Sequence, residues 1–187
     1  MSNKIKLRTG VLVLFVLIAA FSRLIPHPPN FTPIGGMALF GAAYFSKRYL
    51  GFLIPLAAMW LSDLVYNNLI LPVQFPEYYT GFQLFGNFWV YGAIALVVAI
   101  GFYLLKNIKV TNIALAALIG AVAFFLITNF GVWATGLTYP KTGAGLIACF
   151  AAGIPFFGYT LLGNLFYSAV LFGAFEWAKR RMPALQF

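Results

Sequence analysis

The chain of 187 residues is 63% hydrophobic and 8% charged, with a mean hydropathy of +0.92 and a formal net charge of +9. A soluble core of this length cannot hide so much apolar surface, so the composition specifies a polytopic membrane protein. The single cysteine, Cys149, excludes an intrachain disulfide and a CxxC-type metal site, and the basic excess reads as membrane topology rather than nucleic-acid binding.

Six spanning segments follow in chain order. The first, 9–25, lies behind Lys4, Lys6 and Arg8. This start also resembles a signal peptide cleavable near Ala20-Phe21-Ser22, and the reading adopted is a retained helix. Next comes RLIPHPPNFTP, 23–33, with four of the ten prolines and the one histidine, His27. Each proline removes an N–H donor and biases the preceding residue towards extended backbone, so this stretch predicts a stiff, non-helical strap at a membrane surface.

The second segment, 32–45, has Asn30 or Thr32 as candidate N-cap and Pro33 in its first turn. At ~1.5 Å per residue it barely crosses a hydrocarbon core of ~30 Å. The third, 50–71, carries Asp63 and ends in Asn67-Asn68; an aromatic, turn-rich loop follows over 71–83. The fourth, 84–105, stops at Lys106 and Lys109, and the fifth, 110–133, holds Thr128 and Asn129 near its far end. A turn-rich connection, 134–143, leads to an apolar stretch, 144–157, and then to the last segment, 159–178, closed by Lys179, Arg180 and Arg181.

Charge decides the topology. With the N-terminus inside and six crossings, ten of the twelve basic residues share one face, leaving Arg23 and Lys141 on the other. A seventh crossing at 144–157 would send Lys179-Arg180-Arg181 outside. At fourteen residues with Pro155 inside, that stretch reads instead as a short re-entrant or surface-lying helix on the outer side. The expectation is an all-α, single integral membrane domain over 1–187, with both termini cytoplasmic.

Polar residues within apolar segments carry the functional signal, because each is costly unless paired or used. Asp63 lies about a third of the way in from the outer end of its helix, with Asn67 one turn further out on the same face. An Arg23–Asp63 ion pair would satisfy both charges structurally; direct ligand contact by Asp63 is the alternative, and the two are compatible. Asn87 with Tyr91, Thr128 with Asn129, and Asn164 with Thr160 and Tyr167 reach the same depth. Helix capping and interhelical hydrogen bonding explain each one singly, but polar groups converging under aromatic loops also describe a small-molecule pocket.

Other features have plainer readings. Small-xxx-small pairs at Ala38/Ala42, Ala95/Ala99, Ala116/Gly120, Ala117/Ala121 and Ala169/Gly173 suit intramolecular helix packing, with a partner-docking face as the alternative. His27 could bond to backbone, contact a ligand or serve as axial ligand to the metal of a bound cofactor. One histidine and no second nearby Cys or His give too few ligands for a protein-bound metal site. Cys149 reads as a small packing residue, Glu176 as a helix-end partner of Lys179 and Arg180, and Glu77 as a loop acid without a role. No GxxxxGK[ST] loop is present, and no nucleophile–base–orienter set is visible.

HPPNFTPIGGMALFGAAYF (27–45), LAAMWLSDLV (56–65), TNFGVW (128–133) and PFFGYTLLGNLFYSAVLFG (155–173) resemble a family of small bacterial six-helix membrane proteins. That family is similar to the substrate-capture (S) components of energy-coupling-factor vitamin transporters, and the resemblance spans nearly the whole chain. It implies a six-helix bundle in the cytoplasmic membrane that captures a vitamin-like ligand from outside, in a cavity covered by loops at 26–31, 71–83 and 134–157. A solitary cobalamin-transporting branch is similar in size and layout, which makes a corrinoid the favoured ligand. The candidate ligand-binding set is His27, Asn30, Phe31, Thr32, Asp63, Asn67, Tyr78, Tyr79, Phe82, Asn87, Asn129, Trp133, Tyr139 and Asn164. No resident cofactor or metal and no nucleic acid is expected; the partners are a small-molecule ligand, the lipid bilayer and an energising or coupling membrane subunit. S components present an Ala-xxx-Ala motif on their first helix for that subunit, whereas Ala19 here is followed four residues later by Arg23. A structural subunit of a larger membrane complex and an intramembrane enzyme using His27 and Asp63 as acid and base are the competing expectations.

Overall fold

In the computed structural model, which describes residues 2–186, the chain is all-α, with no strand among the described residues. The helices are α1 (Ser2–Ser22), α2 (Ile34–Tyr44), α3 (Arg48–Val65), α4 (Leu71–Gln74), α5 (Phe88–Leu104), α6 (Val110–Thr135) and α7 (Gly143–Arg181). A π-helical segment, Tyr66–Ile70, joins α3 to α4, so 48–74 is one continuous rod. Four helices are long and apolar enough to cross a membrane: α1, the 48–74 rod, α6 and α7. α2 and α5 are apolar but shorter.

The bundle is arranged around α2. Its sequence, IGGMALFGAAY, is apolar all round, which suits a helix enclosed by others rather than one with a solvent face. Ten of its eleven residues are buried, and α1, α3, α5, α6 and α7 all pack against it. Close approach depends on Gly36: a Cβ there would lie 2.8 Å from Tyr167 Cβ and 2.9 Å from the Ser168 backbone nitrogen of α7. Towards its C-terminal end the packing becomes aromatic. Phe40 stacks on Phe15 of α1 at 5.9 Å and meets Phe172 and Phe175 of α7 edge-on at 5.6 Å each. Tyr44 then donates to Glu176 Oε1 at 2.6 Å, Lys179 Nζ donates to the same oxygen at 2.9 Å, and Arg8 reaches the Tyr44 carbonyl at 3.4 Å. Lys47, Arg48, Lys106 and Lys109 lie close in sequence to the helix ends on this same basic side.

At the other end lies the 23–33 strap. The Phe31 N–H donates to the Pro28 carbonyl at 3.1 Å, and Asn30 has φ +63°. Proline at the second position and a left-handed residue at the third are the marks of a type II turn, which Asn tolerates better than most residues. The strap does not stay at the rim. It descends until Thr32 rests on Gly163, near the middle of α7, where a Cβ would lie 2.9 Å from the Thr32 nitrogen. Phe31 is held against Phe166 and Tyr167, with ring centroids 5.6 and 5.8 Å away. Neither Asn30 nor Thr32 caps α2; Pro33 occupies the cap position without a side-chain bond.

The expected separate helix at 144–157 is not there. That stretch is the first part of α7, which runs unbroken through Pro155 to Arg181. One internal proline costs a single N–H bond, a loss that helices in apolar surroundings tolerate when neighbours pack around it. Here Phe150 and Phe157 both pack on Phe125 of α6, and Thr142 starts the helix by accepting from the Gly145 N–H at 3.1 Å.

One ionic contact ties three elements together. Arg23, just past α1, pairs with Asp63 Oδ1 of α3, and Tyr91 of α5 donates to Asp63 Oδ2 at 2.6 Å. The Arg23 guanidinium also lies over the Tyr66 ring at 5.3 Å. The two side chains of the pair are only 13% and 7% exposed, so neither charge has water as an easy alternative.

This packing sets the cost of two substitutions. Gly36→Ala should destabilise the protein by about 1–3 kcal/mol through overpacking, whereas Gly10→Ala, with nothing within 4 Å of the new Cβ, should leave the melting temperature in detergent unchanged or slightly higher. Asp63→Ala strands Arg23 and should cost about 3–5 kcal/mol. Arg23→Ala/Asp63→Ala should cost less than the sum of the single changes, and strict additivity would show that the pair does not couple.

Candidate functional site

α2 begins only where the strap ends, so the centre of the bundle above Ile34 is not filled by helix. Three cavities occupy that space and share walls. The largest, about 600 Å³, is bounded by Arg23, Asp63, Asn67, Gln83, Asn87 and aromatic groups including Tyr66, Tyr79 and Trp89. A second, about 170 Å³, shares Arg23 and Val90 with it and reaches down to Thr32, Gly35 and Asn164. A third, also about 170 Å³, shares Asn30, Phe124 and Thr160 with the second and adds Thr128 and Asn129. Thr135 borders the first and Phe124 the other two, eleven residues apart on α6, so the series descends about 16 Å along that helix.

Local structure aims these side chains. Asp63, Asn67 and Leu71 follow i, i+4 spacing on one rod, and the wider π turn brings Tyr66 to the same wall. π turns within α-helices are frequent at functional sites. Asn68, next to Asn67, serves as a clamp. Its amide donates to the Leu64 and Gln83 carbonyls at 2.9 Å each and accepts from the Gln83 N–H at 2.7 Å. With Trp60 donating to the Leu84 carbonyl at 2.9 Å, it fastens the end of the 75–87 loop to the rod. Asn87 starts α5 by accepting from the Trp89 N–H at 2.9 Å, which leaves its amide nitrogen unbonded within the protein.

The polar groups divide into committed and uncommitted sets. Asp63 has both oxygens taken. Among the described residues, the side chains of Asn30, Asn67 and Gln83 make no hydrogen bond within the protein. Asn164 donates to the Ala117 carbonyl at 3.2 Å and Asn129 to the Phe125 carbonyl at 2.8 Å, which leaves the side-chain oxygen of each without a partner. Asn67 and Asn129 are half-buried and Asn164 is buried, where polar groups normally find partners, so a cavity walled by these three, with Asn30 and Gln83 at its exposed margin, is prepared for water or a polar ligand.

Of the fourteen expected ligand-binding residues, Asn30, Thr32, Asp63, Asn67, Tyr79, Asn87, Asn129 and Asn164 line these adjoining cavities. Six do not. His27 borders a separate space of about 170 Å³ behind Arg23, and its ring nitrogens lie 3.1 and 2.9 Å from the carbonyl oxygens of Arg23 and Pro28. That is its backbone-bonded reading. Phe31 is used in packing, Trp133 donates to the Pro140 carbonyl at 3.1 Å, and Tyr139 lines none of the cavities. Tyr78 and Phe82 are 80% and 74% exposed at the loop surface. Tyr66, Gln83, Trp89 and Thr160 are wall residues that sequence reasoning did not place in the binding set; Thr160 had a signal in its i, i+4 spacing from Asn164, and Gln83 in its place at the end of the 71–83 loop. Cys149 is buried, with its thiol 3.3 Å from the Asn129 carbonyl, as a packing residue should be. Among the described residues no group of three or more His, Cys, Asp or Glu could hold a metal.

No curated protein and no solved structure matches the sequence. One family model does, over residues 3–185. The chain therefore belongs to the family of unknown function DUF6580.

Proposed function

We propose that this protein is a membrane transport component that captures a small, vitamin-like molecule in a cavity open to the outer face of the bacterial cytoplasmic membrane. The observation that carries this reading is the series of adjoining cavities lined by amides, of which Asn30, Asn67 and Gln83 make no side-chain hydrogen bond within the protein and Asn87, Asn129 and Asn164 use only part of their capacity. The about 600 Å³ of its widest part suits a drug-sized ligand. A corrinoid would enter only in part, so a smaller vitamin fits the space better. The resemblance to S components supports the same reading, with energy supplied by a coupling membrane subunit.

A topology goes with it. Counting α1, α2, the 48–74 rod, α5, α6 and α7 as six crossings puts ten of the twelve basic residues and both termini on the cytoplasmic side. The shortness of α2 is no obstacle, because it is sheathed by other helices and need not match the bilayer thickness. The unbroken α7 favours six crossings over seven, since 144–157 and 159–178 then count as one. At thirty-nine residues, or about 58 Å, α7 exceeds a ~30 Å hydrocarbon core and projects beyond it.

Purified protein should be stabilised by its ligand as RT ln(1 + [L]/Kd), about 2.7 kcal/mol at a hundredfold excess over Kd. Asn67→Ala should weaken that stabilisation while leaving the ligand-free melting temperature nearly unchanged, because the Asn67 side chain makes no hydrogen bond within the protein. A screen of vitamins with no shift, together with no small molecule retained on native purification, would overturn the capture reading. For the topology, Tyr78→Cys and Leu137→Cys should react with a membrane-impermeant maleimide in intact cells, and Ser46→Cys only after permeabilisation. The reverse pattern would invert the orientation.

A further inference from the structure

We infer that the molecule taken by this cavity is electrically neutral and amide-bearing, a planar uncharged heteroaromatic or lactam-type compound rather than a carboxylate, a phosphate ester or a quaternary cation. This inference rests on the capture reading above and names its ligand class. It comes from a census of charge in the walls. The adjoining cavities are lined by two ionised groups only, Arg23 and Asp63, and these are paired with each other. Asp63 spends its second oxygen on Tyr91, and the Arg23 nitrogen that meets Asp63 also lies 3.4 Å from Ser62 Oγ. The other charged groups near this end, Glu77 and Lys141, do not line the space; Lys141 covers Gly136. Only one guanidinium nitrogen of Arg23 is engaged, but the pair as a whole is net neutral, so a ligand anion or cation would enter these walls without a counter-charge of its own and would bear its desolvation cost uncompensated.

What remains in the walls is matched to a neutral partner. Asn30, Asn67, Gln83, Asn87, Asn129 and Asn164 are amides, and an amide offers donors and an acceptor together. Such groups recognise a partner that also carries both, as amides, lactams and imide edges of heteroaromatic rings do. The side chains of Tyr66, Tyr79 and Trp89 give the widest cavity flat aromatic surfaces, against which a planar ring can pack. Amides and aromatics side by side in the widest cavity, with further amides below, thus select for shape and hydrogen bonding rather than for charge.

The test uses the purified full chain and a bacterial metabolite extract divided by ion exchange into neutral, anionic and cationic pools. The neutral pool should raise the melting temperature by about 2–4 °C or more, and the charged pools should not. Asn87→Asp keeps a good helix cap but leaves one uncompensated negative charge in the wall. In that variant the shift from the neutral pool should shrink and one from the cationic pool should appear. A larger shift from either charged pool with the unaltered protein, or an unchanged ranking in Asn87→Asp, would overturn the neutral-ligand inference while leaving capture intact. No shift from any pool, with nothing retained on purification, would remove both.

Discussion

The shortness of α2 is the constraint from which the rest of the architecture follows. Eleven residues at ~1.5 Å each give about 16 Å of helix, roughly half a hydrocarbon core. Because the helix is enclosed by five others, its length decides how much of the bundle centre is solid. Towards the basic end the centre is filled by Phe40, Tyr44 and the aromatic side chains of α1 and α7 that meet them. Towards the strap end it is not filled, and the surrounding helices face a gap. The proline-rich strap is what makes this possible, since a chain that continued as helix from α1 would have closed the space.

A gap within a bundle has to be held open against collapse, and the Arg23–Asp63–Tyr91 contact does so. It joins the end of α1, the rod and α5 by bonds that are lost if these elements close on one another or separate. Buried ion pairs add little net stability compared with apolar packing, but breaking one is expensive. That asymmetry makes the pair better at fixing spacing than at strengthening the fold. Asn68 plays the corresponding part for the 75–87 loop, through two opposed bonds to the backbone of Gln83.

These relations were unevenly legible in the sequence. Apolar stretches bounded by basic residues located the helices, because the physics is one of composition and length. The Arg23–Asp63 pair was legible too, since two opposite charges at matching depth in apolar surroundings have few other ways to be satisfied. The continuity of α7 was not. Pro155 and the small residues around it look like a break, and only packing against Phe125 and Asn129 shows why the helix persists. The same limit explains the six residues expected in the cavity walls but not found there. Trp133, Tyr139, Tyr78 and Phe82 have the right chemistry, but which way an aromatic on or beside a loop points depends on turns that no periodicity reports. Gln83 and Trp89 were missed for the complementary reason: their position follows from the clamp at Asn68 and the cap at Asn87.

The division along the bundle axis also bears on why the amides can stay unpaired. An amide left without a partner costs stability to the extent that it is buried, and Asn67, Asn129 and Asn164, the half-buried and buried members of the set, each keep hydrogen-bonding capacity unused. Here the densest aromatic packing lies in the other half. The aromatic packing around Phe40 and the Tyr44–Glu176–Lys179 cluster lie away from the cavity, so hydrogen-bonding capacity in the walls can be reserved without loosening that part of the core. On the proposed capture reading, the aromatic core and the recognition site occupy different ends of the same helices, with α7 running through both. A ligand that satisfied the free amides would then stabilise the end least able to stabilise itself, and its effect should be concentrated in the strap, the 75–87 loop and the first half of α7 rather than spread through the bundle.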